Sequence, residues 1–303
     1  MNNTRIVTIV CWVVAALALI GLAVFFLTGT IFGNSPWGNN WFGWNTGVEN
    51  LTGPFHVQGE YSVNNSEIDS IYVNWVAGEI NIIPHSGNDI RIIESAQREL
   101  RDNEILQYTV TGSTLTIRFT YRNVARRAPR KNLEILVPQA LSESMNNLSV
   151  STVSGEVYIS GINANALECD VTSARINATG NFNRVNLNGV NGPMVLMNSA
   201  ERSVLNVDNV NGATELSGNF ETVNVSTVNG NTTVSSGIVP TSLDISGVNS
   251  RVNIYIPEGE TITVNHSAVN GRLTNEVPVT LQSGNAQFNI SLVNGNTSIM
   301  PIR

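Results

Sequence analysis

The chain has 303 residues, 42% of them hydrophobic and only 13% charged, with 23 acidic against 16 basic side chains and a formal net charge of −7. That length can bury a substantial core, while the acidic balance excludes a nucleic-acid partner and the scarcity of charge excludes a coiled coil or a charged disordered tail. Three His and two Cys leave little for metal or thiol chemistry, so no metal site and no cofactor are expected.

A five-residue stub (1–5) precedes an uncharged run over 6–27, IVTIVCWVVAALALIGLAVFFL. At about 1.5 Å per helical residue such a run spans roughly 33 Å, the thickness of a bilayer's hydrocarbon core. A cleaved leader has a shorter apolar region ending in a small-x-small site. This run is longer and is followed by TGTIFG, which favours an uncleaved, single-pass anchor. Arg5 precedes it and no charge follows until Glu49, so the positive-inside rule leaves the N-terminus cytoplasmic and the rest extracytoplasmic. Residues 28–49 read as a Gly/Trp/Asn-rich linker in which Trp37, Trp41 and Trp44 suit the headgroup interface. Cys11 lies in the span and Cys169 stands alone outside it, so no disulfide is expected.

Residues 50–140 carry alternating runs, DIRII from Asp89, LQYTV from Leu106, LTIRF from Leu115 and LEILV from Leu133. They predict a sandwich-like β part with degenerate, edge-capping repeats. Between the last two runs Arg118, Arg122, Arg126, Arg127, Arg130 and Lys131 crowd into 14 positions. Read as an exposed loop, this cluster offers bidentate donors to an anionic wall polymer or a lipid headgroup; the plainer reading is a solubilising loop.

One pattern recurs, first at Ile71 and then regularly from 141 to 303: apolar-x-apolar-x-x-[Val/Thr]-[Asn/Ser/Ala]-[Gly/Ala/Ser]-x-apolar-x-apolar. Its copies include IYVNWVAGEINI at Ile71, LSVSTVSGEVYI at Leu148, VNLNGVNGPMVL at Val185, VNVSTVNGNTTV at Val223 and FNISLVNGNTSI at Phe288, with a stretched copy, ITVNHSAVNGRL, at Ile262. The third turn residue falls at Gly78, Gly155, Ala174, Gly192, Gly212, Gly230, Ser250, Gly271 and Gly295, a first gap of 77 followed by gaps of 18 to 24 residues. Period-2 alternation predicts half-buried strands, and Asn-Gly tolerates the backbone of a sharp bend. A meander of hairpins is one outcome. The near-constant period favours the other, an all-β, solenoid-like stack of about 18–20-residue coils in which Asn191, Asn211, Asn229, Asn249, Asn270 and Asn294 form a ladder. The chain stops shortly after its last repeat, so that coil is expected to leave an open edge.

An anchor followed by repeated V-[NS]-G turns over roughly 70–303 resembles the bacterial putative-adhesin family that includes the LiaG-like envelope proteins. The resemblance implies a β-solenoid-like extracytoplasmic domain linked to envelope adhesion or stress response, and it supplies no catalytic residues.

No nucleophile elbow, zinc-binding helix motif or phosphate loop is present, and His56, His85 and His266 are far apart. Glycan hydrolysis or elimination needs two carboxylates about 5–10 Å apart. Glu156, Glu168, Asp170, Asp208, Glu215 and Asp244 lie in the repeats, with Asp170 and Asp208 at the same phase two coils apart, which reads better as a solvated polar face. The expectation is a non-enzymatic, membrane-anchored envelope protein. Its partners would be a wall polymer or another envelope protein, and a glycan-acting enzyme is the alternative.

Overall fold

Alternation in the sequence becomes alternation of burial: in Ser203–Asn211, VLNVDNVN puts Leu205 and Val207 in the core and Asn206 and Asp208 toward solvent. The computed structural model describes residues 48–49, 51–64, 67–121, 128–258, 261–277 and 286–302. The expected membrane helix over 6–27 and the Trp37, Trp41 and Trp44 belt lie outside the described residues. Among the described residues no helix is long and apolar enough to cross a membrane. They are all-β apart from one helical turn, Gln139–Ser142, and divide into two units between Arg175 and Ile176.

In the unit ending at Arg175, β2 (Ser70–Asn74) and β3 (Ala77–His85) are the two arms of one coil bent at Gly78. They pair in parallel with β6 (Thr114–Arg118) and β7 (Lys131–Pro138) on one side and with the first part of β8 (Met145–Asn191) on the other. The segment whose turn motif is lost therefore holds a full coil, β6–β7, laid outside the coil that precedes it in sequence. Antiparallel strands finish this end: β5 (Gln107–Thr111) on β6, β4 (Asp89–Ala96) on β7, and β1 (His56–Asn64) on β4. Glu60 and an irregularity between Val57 and Gly59 on β1 are devices that discourage further strand addition.

The unit from Ile176 contains the rest of β8 and five two-armed coils. The rest of β8 is followed by β9 (Met194–Asn198), and the five coils are β10–β11 (Ser203–Asn211, Thr214–Gly218), β12–β13 (Phe220–Asn229, Thr232–Ser236), β14–β15 (Ser242–Asn249, Val252–Ile256), β16–β17 (Ile262–Asn270, Leu273–Asn275) and β18–β19 (Ala286–Asn294, Thr297–Pro301). All pairings among them are parallel, which decides for stacked coils over hairpins. Residues at the same repeat phase stack: Leu187, Val207, Val225, Ile245 and Ile290 form one fully buried column. Each such side chain contributes roughly 1.5–3 kcal/mol of burial.

Two expectations are corrected here. The last coil of the chain is not an open edge, because β18–β19 is bonded on both sides, to β14–β15 and to β16–β17; the edge coil is β16–β17. The copy at Ile262 is also not stretched. Val264 pairs with Phe288 and His266 with Ile290, so VNHSAVNG is in register, with an imidazole where the other coils carry an aliphatic side chain. An edge coil buries its inward side chains on one neighbour only, which is why a polar residue is tolerated there.

The turn explains the glycine. Gly155 has φ 130°, and a Cβ there would collide with the carbonyl oxygen of Gly78; the same overlap recurs for Gly212 against Gly192 and for Gly295 against Ser250. Gly155→Ala is expected to cost about 3 kcal/mol or more, against about 1–2 kcal/mol for Gly112→Ala, where φ is 57° but the space is open; urea unfolding of both variants checks this.

His266 Nε2 is buried with no hydrogen-bond partner among the described residues, and burial holds its imidazole below the ordinary histidine value. The unfolded chain then binds a proton more readily than the folded one, so stability is complete above about pH 6.5 and falls as pH drops from there toward the folded-state value. His266→Leu is expected to remove this component, read as a wild-type-minus-variant difference in urea midpoint that grows as pH falls from 7.5 to 5.

Candidate functional site

Parallel stacking converts repeat phase into vertical columns about 4.8 Å apart per step. At the turn, Asn211 donates from Nδ2 to Oδ1 of Asn191 (3.0 Å), Asn229 to Asn211 (2.9 Å), Asn249 to Asn229 (2.8 Å), Asn294 to Asn249 (3.0 Å) and Asn270 to Asn294 (3.0 Å). All six are exposed. The order inverts the last two because β18 is inserted between β14 and β16. Gly192, Gly212, Gly230, Ser250 and Gly295 donate backbone N–H groups to the Asn carbonyl of the next coil at 2.9–3.2 Å.

A second ladder runs on the outward face of the first arm. Asn224 donates to Asn206 and Asn206 to Asn186, both at 2.9 Å; Asn265 donates to Asn289 (2.9 Å) and Asn289 to Oδ1 of Asp244 (2.7 Å). Between the two ladders Asn188, Asp208, Ser226, Ser246, Ser291 and Ser267 occupy one register line. The second ladder was readable in principle from Asn at the first polar position of the copies at Val185, Leu205, Val223 and Phe288.

Each laddered amide uses one of its two N–H groups and one lone pair along the stack, leaving one donor and one acceptor per coil for something outside. The face is thus an ordered, weakly charged array of hydrogen-bonding groups. Asp244 interrupts it: an ionised carboxylate accepts from Asn289 and from the Ser242 hydroxyl (3.1 Å) but cannot donate onward to Asn224.

Burial pushes the Asp208 carboxyl up despite a hydrogen bond from Ser226. In the other unit, burial followed by the neighbouring Asp170 charge pushes Glu168 up, a Ser149 hydroxyl opposing. Cys169 is fully buried, and its thiol is driven well above the ordinary range by desolvation. Among the described residues no group of three His, Cys, Asp or Glu side chains is placed to hold a metal ion.

Arg118 at the end of β6 and Arg130 just before β7 are exposed, and Arg122, Arg126 and Arg127 lie outside the described residues. Lys131 is not part of a surface patch. Its side chain is 0% exposed and its Nζ lies 2.6 Å from Oε1 of the equally buried Glu94 and 2.6 Å from the carbonyl of Glu104. The ammonium also sits 3.9 Å from the Phe119 ring centroid and 5.1 Å from that of Trp75. Burial lowers its pKa, with the Glu94 charge opposing. Lys131 opens β7 at an inward phase, so the strand carries it into the core, where Glu94, the Glu104 and Thr120 carbonyls and the two rings make a cation tolerable.

A family model described as Toastrack DUF4097 matches residues 68–299. The chain belongs to the Toastrack DUF4097 family. No curated protein matches it. A crystal structure of a putative adhesin from Bacteroides fragilis is 15% identical, covers 83% of this chain and 98% of its own, and superposes with a TM-score of 0.50. Another, of a putative adhesin from Parabacteroides merdae, is 10% identical with a TM-score of 0.44, over 85% of this chain and 100% of its own. The first of these likenesses shows the Toastrack fold to be shared.

Asp244→Asn is expected to join the two halves of the second ladder and raise stability by about 0.5–1.5 kcal/mol at pH 7, measured as a rise in urea midpoint without a change in slope.

Proposed function

We propose that this Toastrack protein is a non-enzymatic, membrane-anchored, extracytoplasmic binding protein whose asparagine-laddered face contacts hydroxyl- and amide-rich polymers of the cell envelope. The observation that carries the reading is the pair of amide ladders, which hold unspent donors and acceptors at a fixed spacing. Preorganised polar groups lose little conformational entropy on binding, and the near absence of charge on this face suits a neutral polymer. The apolar run over 6–27 supports the anchor and the direction of export, and the fold shared with a putative adhesin of Bacteroides fragilis agrees with a surface role. Arg118 and Arg130, exposed and outside any ion pair among the described residues, supply a separate handle for anionic wall polymers or headgroups.

A second reading, a glycan-cleaving enzyme, has one observation in its favour. Glu168 and Asp170 are two apart on one strand, and so face the same side about 7 Å apart, a separation within the range used by carboxylate pairs.

The test is co-sedimentation of the purified full chain, in detergent, with cell-wall sacculi at low and high salt. Binding that survives high salt and drops several-fold in Asn206→Ala/Asn224→Ala is expected from the ladder face. Arg118→Gln/Arg130→Gln is expected to remove only a salt-sensitive part, since exposed charges are screened beyond about 10 Å at 0.1 M salt. Absence of binding in every condition overturns the reading, and release of soluble sugar that is lost in Glu168→Gln transfers it to the enzyme.

A further inference from the structure

Among the described residues the second arm of the edge coil, β17, is paired on one side only, to β19, so its other side presents backbone groups that no described strand takes up. Such edges are ordinarily guarded by charge, proline or a bulge. β16 carries no Asp, Glu, Lys or Arg in nine residues, and neither strand has a register irregularity. Val269 and Leu273 are 49% and 36% exposed. The charges bounding the second arm are Arg272 and Glu276, both exposed and in no ion pair among the described residues.

Backbone direction narrows what fits there. The Arg272 carbonyl accepts from Thr297 N–H and the Glu276 N–H donates to the Ile299 carbonyl, both at 2.9 Å. Peptide groups alternate along a strand, so Leu273 and Asn275 turn theirs to the open side. Thr274 lies midway between these two, and midway between Arg272 and Glu276. A strand of identical sequence running antiparallel about Thr274 pairs Leu273 with Asn275 and Asn275 with Leu273 through those free groups. It keeps inward side chains inward and sets Arg272 opposite Glu276 at both ends. A patch with one cation and one anion equidistant from its centre is complementary to itself, the requirement of a two-fold interface.

We propose that two copies of this chain associate edge to edge through antiparallel β17 strands about a two-fold axis at Thr274, with Arg272 of each copy paired to Glu276 of the other. The shared strand is short, so the association is weak and concentration-dependent.

Sedimentation of the full chain in detergent over a range of concentrations tests this, with thermal unfolding reporting that each variant is folded. Arg272→Glu and Glu276→Arg each place like charges opposite one another twice and are expected to weaken self-association roughly tenfold. Mixed in equal amounts, the two variants are expected to associate with each other as wild-type chains do, because the exchanged charges again meet with opposite sign. Thr274→Cys in a Cys11→Ser background is expected to oxidise to a linked dimer faster than Ser217→Cys in the same background. A wild-type chain that is monomeric throughout, folded variants that associate unchanged, or a mixture no better than its components overturns the proposal.

Discussion

The turn between the two arms of the coils from Asn191 onward is the constraint on which their stacking depends. Three features meet there: an Asn amide bonded to the Asn of the previous coil, a backbone N–H bonded to the Asn carbonyl of the next, and a residue whose missing Cβ lets one peptide lie against another. Because the side-chain period of a strand is two, a slip of one residue at any turn would send an entire arm's apolar set to solvent. The stitched turn forbids that slip coil by coil. Ser250 shows that the backbone bond persists without glycine, since its N–H still donates to the Asn294 carbonyl at 3.0 Å.

In each unit the outermost coils follow different rules from the inner ones. In both units a later coil pairs with one that is not its immediate predecessor: the first part of β8 lies on β2–β3, leaving β6–β7 outside, and β18–β19 lies on β14–β15, leaving β16–β17 outside. Near β6–β7 the chain adds antiparallel strands and a charged core, the buried Lys131–Glu94 pair, with the partly exposed Arg98 guanidinium held by Glu49 and Glu104. Such a core is weak evidence for stability, but it is specific, since an unpartnered buried charge is costly in any other arrangement. The β16–β17 edge lacks these devices and presents a plain strand with one imidazole, His266, and one amide, Asn275, at inward phases.

The functional reading rests on the same regularity as the fold. An array of amides is useful for recognition only if its spacing is fixed, and the parallel register fixes it. The ladders also explain the unusual composition: Asn and Ser at outward positions replace the charges that most surfaces carry, because like charges stacked at strand spacing would repel one another, whereas amides bond to one another along the column.

Strand class, coil period, the turn residues and the six-asparagine ladder were legible in the sequence, because all four arise from local alternation and from repetition at constant phase. Coil order was not. Inserting β18 between β14 and β16 changes no local propensity, and only the competition for buried partners decides which coil stays outermost. The place of Lys131 was hidden for a similar reason. Its neighbours Arg126, Arg127 and Arg130 point to a surface loop, while Glu94, 37 residues earlier, becomes its partner only once β4 pairs with β7. Local chemistry thus determined the coil and its turn, and tertiary structure decided the order of the coils, the edge that stays open and the one lysine that is buried, since each depends on contacts between residues far apart in the chain.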